Sequence, residues 1–360
     1  QRLTQADHPT KRRATISILR QSRVGAMALV PLCLLLMAGC SQSNDSARFE
    51  RYLERLSRPL STPIPAVGAP ARLETPDVGQ LQIDIAPGKL DALDFLSLSG
   101  CQLQVTLGKR NSSLGKFAPP SQRLLLELEY LHYAPACIEY LRSRDEARIA
   151  QLLESTQNDK LAQLPARIFN ATLASQEFHS FWRTPANLAK YPDNTSSAVI
   201  TALESINAHA QRWLSGDFRA DNREFELLLN EVARGDGGAL VLALSRQDSW
   251  LTGANSMLQS RHAAGGLCNA GLKPASATIL ENVVRKYFIG EIQPVAAALG
   301  RRQHQLTPAI EALETTLSQV LPPSYSDWRT KRREVLVQAS GAPRRHVEHV
   351  KTLLDPCLAL

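Results

Sequence analysis

Between Gly108 and Cys137 the chain reads GKRNSSLGKFAPPSQRLLLELEYLHYAPAC, and within it Ser113-Leu-Gly-Lys116 spells the Ser-x-x-Lys pair of serine acyl-transfer enzymes. That chemistry needs the serine at a helix start, a Lys-Thr-Gly strand and a Ser-x-Asn partner. No Lys-Thr-Gly occurs, and Pro119-Pro120 follow closely on Lys116. A phosphate loop fits no better. Its motif places four residues between the first glycine and the Gly-Lys pair and a Ser or Thr after the lysine, whereas six residues separate Gly108 from Gly115 and Phe117 follows Lys116. The stretch reads as a helix-ending turn in which Gly115 supplies a positive φ. Its polar residues Arg110, Asn111, Ser113 and Lys116 suit binding better than catalysis.

Other constellations are weaker. No Gly-x-Ser-x-Gly elbow and no His-Glu-x-x-His occur. His346 and His349 share a helical face, but Arg344, Arg345 and Lys351 flank them, so they read as part of a basic solvated surface and no metal site is assigned. Arg329, Lys331, Arg332 and Arg333 read as a solvated helix start beside Asp327 and Glu334. FHSFW, Phe178 to Trp182, reads as inter-helix packing. A glycan hydrolase would need two carboxylates at a set separation, and Asp and Glu are scattered over every predicted helix. No cofactor is implied.

Of the formal charge of +7, the first 39 residues carry +5, with Arg2, Lys11, Arg12, Arg13, Arg20 and Arg23 against Asp7 alone. Beyond them, 35 Lys or Arg face 33 Asp or Glu, so the high pI does not argue for a nucleic-acid partner. The leading charge precedes AMALVPLCLLLMAG, which is short for a membrane span and suits a signal-peptide core. It ends in LLMAGCS, where small residues before Cys40 match a bacterial lipobox with Met37 at the usual leucine. Residues 1–39 are thus expected to be a lipoprotein signal peptide and Cys40 its lipid-attachment residue, acylated on both thiol and amine. Arg12-Arg13 lacks a twin-arginine context and reads as leader charge. In a Gram-negative cell Ser41 implies the inner leaflet of the outer membrane, facing the periplasm.

With Cys33 in the leader and Cys40 acylated, Cys101, Cys137, Cys268 and Cys357 remain, an even number that suits an oxidising compartment. Three pairings are possible. Cys101–Cys137 and Cys268–Cys357 are favoured because each brackets one helical module and the two do not cross. Close zinc-type spacing is absent.

These residues need elements to hold them. In SARFERYLERL, Phe49, Tyr52, Leu53 and Leu56 recur at helical spacing. Six prolines from Pro59 to Pro87 then mark an extended connector, free or wrapped along the domain, with LQIDI (Leu81–Ile85) its one candidate strand. From Leu90 onward the pattern is helical. Leu90, Leu93, Leu96 and Leu98 form one stripe, Pro119-Pro120 open a helix and Pro135 is expected to break it. Further helices are expected near 145–163, 166–182, 196–214, 221–234, 238–260, 276–298, 307–321 (capped by Thr307, with Pro308 in its first turn) and 326–353. The fold class is all-α: a multi-helix globular assembly with a Pro-rich N-terminal connector and two disulfides. Residues 40–88 make the lipidated N-terminus, short helix and connector, and 89–360 the α-helical domain.

The segment Asp94–Cys137, with LPARIFNATLASQEF from Leu164 to Phe178, resembles a gammaproteobacterial lipoprotein family catalogued as domain of unknown function 3080, from about Phe49 to the carboxyl end. The resemblance implies export, lipidation and the placement of Cys101 and Cys137, and carries no activity. The expectation is a lipid-anchored envelope scaffold or accessory factor that binds another envelope protein or glycan. The alternatives are an envelope hydrolase acting on peptidoglycan or a related polymer, and a small-ligand binding protein.

Overall fold

The computed structural model describes residues 44–86, 98–268 and 273–358. The leader, Cys40 and the stripe Leu90, Leu93 and Leu96 lie outside them. Among the described residues every regular element is helical and none is a strand. The helices are α1 (Asn44–Leu60), the single turn α2 (Val78–Leu81), α3 (Gln102–Asn111), the single turn α4 (Ser113–Lys116), α5 (Pro120–Ser143), α6 (Ala147–Ala171), α7 (Gln176–Trp182), α8 (Ala198–Leu214), α9 (Asn222–Ala233), α10 (Gly237–Ala263), α11 (Ala275–Val283), α12 (Gln293–Thr316), α13 (Pro323–Ser340) and α14 (Ala342–Leu358). A π-wound stretch, Val284–Ile292, joins α11 to α12 without a break.

Two apolar clusters organise them. The larger gathers α3, α5–α9, the first half of α10, α12 and α13. The smaller packs Phe49, Tyr52, Leu53, Leu56 and Leu60 of α1 against Leu251 and Leu258 of α10, Leu280 of α11, Phe288, and Leu353 of α14. α10 and the continuous rod α11–α12 run through both clusters, so the two are braced together. Residues Ser43–Leu360 form one compact unit. It contains both clusters and both disulfides, Cys101–Cys137 and Cys268–Cys357, with Cα–Cα distances of 5.4 and 5.3 Å. The unit therefore has its own core and can fold without what precedes it. α1 belongs to this unit and packs within the smaller cluster.

The connector lies along the domain. Leu81 is buried, Leu73 and Ile83 pack on the larger cluster, and the side-chain amide of Asn170 clasps Ile83. The Ile83 N–H donates to Asn170 Oδ1 (2.9 Å) and Asn170 Nδ2 donates to the Ile83 carbonyl (2.8 Å). The backbone hydrogen bonds that a strand neighbour would provide thus come from one amide, and LQIDI forms no strand.

Several expected boundaries shift. Pro120 opens α5 as expected, but Pro135 sits inside a continuous helix between buried Ala134 and Cys137. α6 runs through Pro165 to Ala171, and only the turn capped by Ser175 separates it from α7. The expected helices near 276–298 and 307–321 are one rod, in which Thr307 caps nothing and Pro308 is internal. In reverse, 326–353 is two helices parted at Gly341.

Two residues read as solvated are core residues. Arg332 forks onto Glu314 (2.8 and 2.9 Å), which also accepts from the Tyr325 hydroxyl (2.7 Å), and its guanidinium lies between the Trp182 and Trp328 rings, at 4.8 and 5.0 Å. The pair is fully paired and stacked, which a buried charge requires. His346 has no exposed surface. Its Nε2 accepts from the Tyr52 hydroxyl and its Nδ1–H donates to Asn255 Oδ1, each at 2.7 Å, a tautomer that satisfies all three groups. His349 instead meets Gln259, so the two imidazoles share no ligand position.

Burial, with a smaller push from His349, drives His346 down to about 3. An unfolded histidine protonates near 6.5. Between these values the unfolded chain binds more protons, so this contribution is complete above about pH 6.5 and drains away as pH falls toward about 3. Lowering the pH from about 7 to about 5 should cost roughly 2 kcal/mol through this group alone. His346→Gln should flatten that part of the profile, which urea midpoints of the two proteins across the range will measure.

Candidate binding cleft

The stretch from Gly108 to Glu127 forms one wall of a cleft of about 500 Å³ between α3, α4, α5, α6 and the connector. The end of α3 contributes Arg110 and Asn111, α4 contributes Gly115 and Lys116, α5 contributes Arg123 and Glu127, α6 contributes Arg167 and Asn170, and Gln82–Ala86 close one side. Ser113 is not among the lining residues. It begins α4, and the neighbouring Ser112 is the working hydroxyl: it donates to the Lys109 carbonyl (2.6 Å) and accepts from the Gly115 N–H (3.1 Å). Gly115 owes its place to close approach and not to a positive φ. A Cβ there would lie 2.3 Å from the Lys109 carbonyl oxygen and 2.5 Å from that of Arg110, so the α4 turn rests directly on the end of α3. From α5, Arg123 donates to the Lys116 carbonyl (3.1 Å) and ties the turn down from the other side.

On the cleft floor Glu127 is buried and meets three cations. Lys160 of α6 donates to its Oε2, Arg110 Nε reaches Oε1 at 3.1 Å and Arg167 Nη1 lies 3.6 Å from the same oxygen. Lys160 also sits over the Tyr130 ring at 4.7 Å. Burial raises the Glu127 carboxyl, but Lys160, Arg110 and Arg167 together outweigh burial and hold it below the usual carboxylate range. Burial pushes the Lys160 ammonium down to about 8, with Arg110 and Arg167 adding to it and Glu127 opposing.

Arg110, Lys116, Arg123 and Arg167 line the cleft with Glu127 and Asp84, and Lys160 lies buried against Glu127. Arg167 Nε is buried without a hydrogen-bond partner, and neither Lys116 nor Arg123 has a carboxylate partner among the described residues. The surplus is positive, and what it can do chemically is hold an anion. Of the four residues singled out from sequence, the cleft gathers Arg110, Asn111 and Lys116. Missed were Glu127, Lys160, Arg167 and Asn170. The usable signal was a charge on an apolar stripe: Glu127 follows Leu124 and precedes Leu128 and Leu131, and Lys160 stands between Thr156 and Leu164 at helical spacing. Among the described residues no group of three or more His, Cys, Asp or Glu could hold a metal, and no helix is long and apolar enough to cross a membrane.

Fold and cleft together define an all-α, twice disulfide-bonded protein with a cationic recess. The chain belongs to the family described as protein of unknown function DUF3080, whose model matches residues 49–357. No curated protein and no solved structure gives a significant match.

Because Glu127 neutralises charges on two other helices, Glu127→Gln should leave Lys160 buried without a counter-ion and destabilise the fold by roughly 3–5 kcal/mol. Arg142→Gln, which breaks the exposed Arg142–Glu154 pair, should cost under about 1 kcal/mol. Chemical denaturation of the two variants beside the parent checks the contrast.

Proposed function

We propose that the protein is a lipid-anchored component of the bacterial cell envelope, facing the periplasm from the outer membrane, that uses the cleft to hold an anionic group of another envelope component. The observation that carries the binding role is the uncompensated positive charge of the cleft. An arginine-rich recess of this volume suits a charged ligand group, since guanidinium forks bind carboxylate and phosphate oxygens in pairs. The anchoring role is supported by the LLMAGC lipobox at Cys40 and by the pairing of the other four cysteines, which fits an oxidising compartment. The hydrolase alternative has less support. Glu127 is held ionised with both oxygens engaged by cations, which unsuits it for proton donation.

Titrating the chain from Ser41 onward with inorganic pyrophosphate, followed by calorimetry, tests the binding role. Saturable binding should weaken with salt, and Lys116→Glu with Arg123→Glu should lower affinity about tenfold or more, ~1.4 kcal/mol per decade. Raising the pH through about 8 should also weaken it, because Lys160 then loses its proton. Titration without saturation, or indifference to both charge reversals, would refute the role. For the anchor, Cys40→Ala should abolish acyl labelling and release the protein from the membrane fraction; unchanged labelling would refute it.

A further inference from the structure

Beside the cleft, α4 and the residue that ends it display two large apolar side chains: Leu114 is 88% exposed and Phe117 86%, well beyond the next of the exposed large hydrophobics, Val337 at 64%. They stand three residues apart, on a turn whose Gly115 and Lys116 line the cleft. The turn is not loose. Gly115 seats it on the Lys109 and Arg110 carbonyls, the Ser112 hydroxyl caps it, and Arg123 holds the Lys116 carbonyl. Two apolar side chains are therefore presented to solvent at a fixed place beside a cationic recess. A leucine and a phenylalanine so exposed lose hydrophobic stabilisation unless something apolar covers them.

We propose that α4 and the cleft together dock on a bilayer surface, with the phosphate of an anionic phospholipid headgroup in the cleft and Leu114 and Phe117 in the acyl boundary beside it. The inference rests on the cleft being an anion site and identifies what carries the anion. A soluble anion would use the cations but leave Leu114 and Phe117 unexplained; a purely apolar partner would leave the cations unexplained. An anionic lipid in a bilayer supplies phosphate and hydrocarbon side by side, the two chemistries that α4 brings together.

The test uses the chain from Ser41 onward, which carries no acyl chains, and sedimentation with vesicles of phosphatidylcholine alone or mixed with phosphatidylglycerol. It should bind the mixed vesicles and not the neutral ones. Leu114→Ser with Phe117→Ser should weaken that binding about tenfold or more while leaving the melting temperature and the pyrophosphate titration unchanged, since both side chains are exposed and outside the cleft. Lys116→Glu with Arg123→Glu should weaken both vesicle and pyrophosphate binding. Pyrophosphate binding without vesicle binding would overturn the lipid inference and leave the anion site standing. Vesicle binding indifferent to the Leu114 and Phe117 changes, or to the charge reversals, would also overturn it. Failure of pyrophosphate and vesicles alike would remove both readings.

Discussion

Glu127 is ionised in a place where a lone carboxylate would cost several kcal/mol, and the reason is that two neighbouring helices bring it three cations. Arg110 comes from α3, Lys160 and Arg167 from α6, and Glu127 itself from α5, so one charge fixes the relative register of three elements. Removing the acid would leave Lys160 at 3% side-chain exposure without a counter-ion. The arrangement has a second consequence. One carboxylate cannot neutralise three cations, and the excess appears at the cleft surface, where Lys116 and Arg123 add to it. The interaction that closes the hairpin of α5 and α6 on α3 is thus also the one that leaves the recess positive.

The same device recurs where other helices meet. Arg332 and Glu314 join α13 to α12, and Arg302 of α12 forks onto Asp236, which the Tyr191 hydroxyl also reaches at 2.8 Å, at the start of α10. His346 of α14 bridges Tyr52 of α1 and Asn255 of α10. Apolar stripes bring these helices together without specifying a unique register, because a leucine tolerates many neighbours. A buried fork or imidazole accepts only one partner geometry, so each pair adds specificity at a desolvation cost. The rod α11–α12 and helix α10 then transmit the alignment between the two clusters.

This explains what the sequence revealed and what it hid. The stripe of α1 was visible because Phe49, Tyr52, Leu53 and Leu56 repeat at helical spacing, and the Cys101–Cys137 and Cys268–Cys357 pairs followed from not crossing. Element ends were less visible. Pro135 was expected to break a helix and Pro308 to begin one, yet each lies within a helix, as Pro165 does, where tertiary packing outweighs the lost N–H. Arg332 and His346 were hidden for another reason. Charged neighbours in sequence, Lys331 and Arg333 or Arg344 and Arg345, made them look solvated, although a helix turns neighbours to different faces and sends only Arg332 and His346 inward.

The cleft shows how a motif can fail while its residues still form a site. Gly108 to Lys116 has the wrong spacing to wrap a phosphate in backbone N–H groups, and the structure puts those backbone groups to another use, seating α4 on α3 through Gly115. The positive charge does not depend on that spacing. It comes from side chains on α3, α4, α5 and α6 whose separation in sequence runs from Arg110 to Arg167, while the connector that Asn170 straps across them closes one side of the cleft. Local sequence could therefore identify Arg110, Asn111 and Lys116, which lie within one short stretch of chain, but not Lys160 or Arg167, which join them only because Glu127 draws α6 against α5. A charged residue interrupting an apolar stripe carries the missing information: it must be neutralised by a neighbouring helix, and that helix forms the next wall of the site.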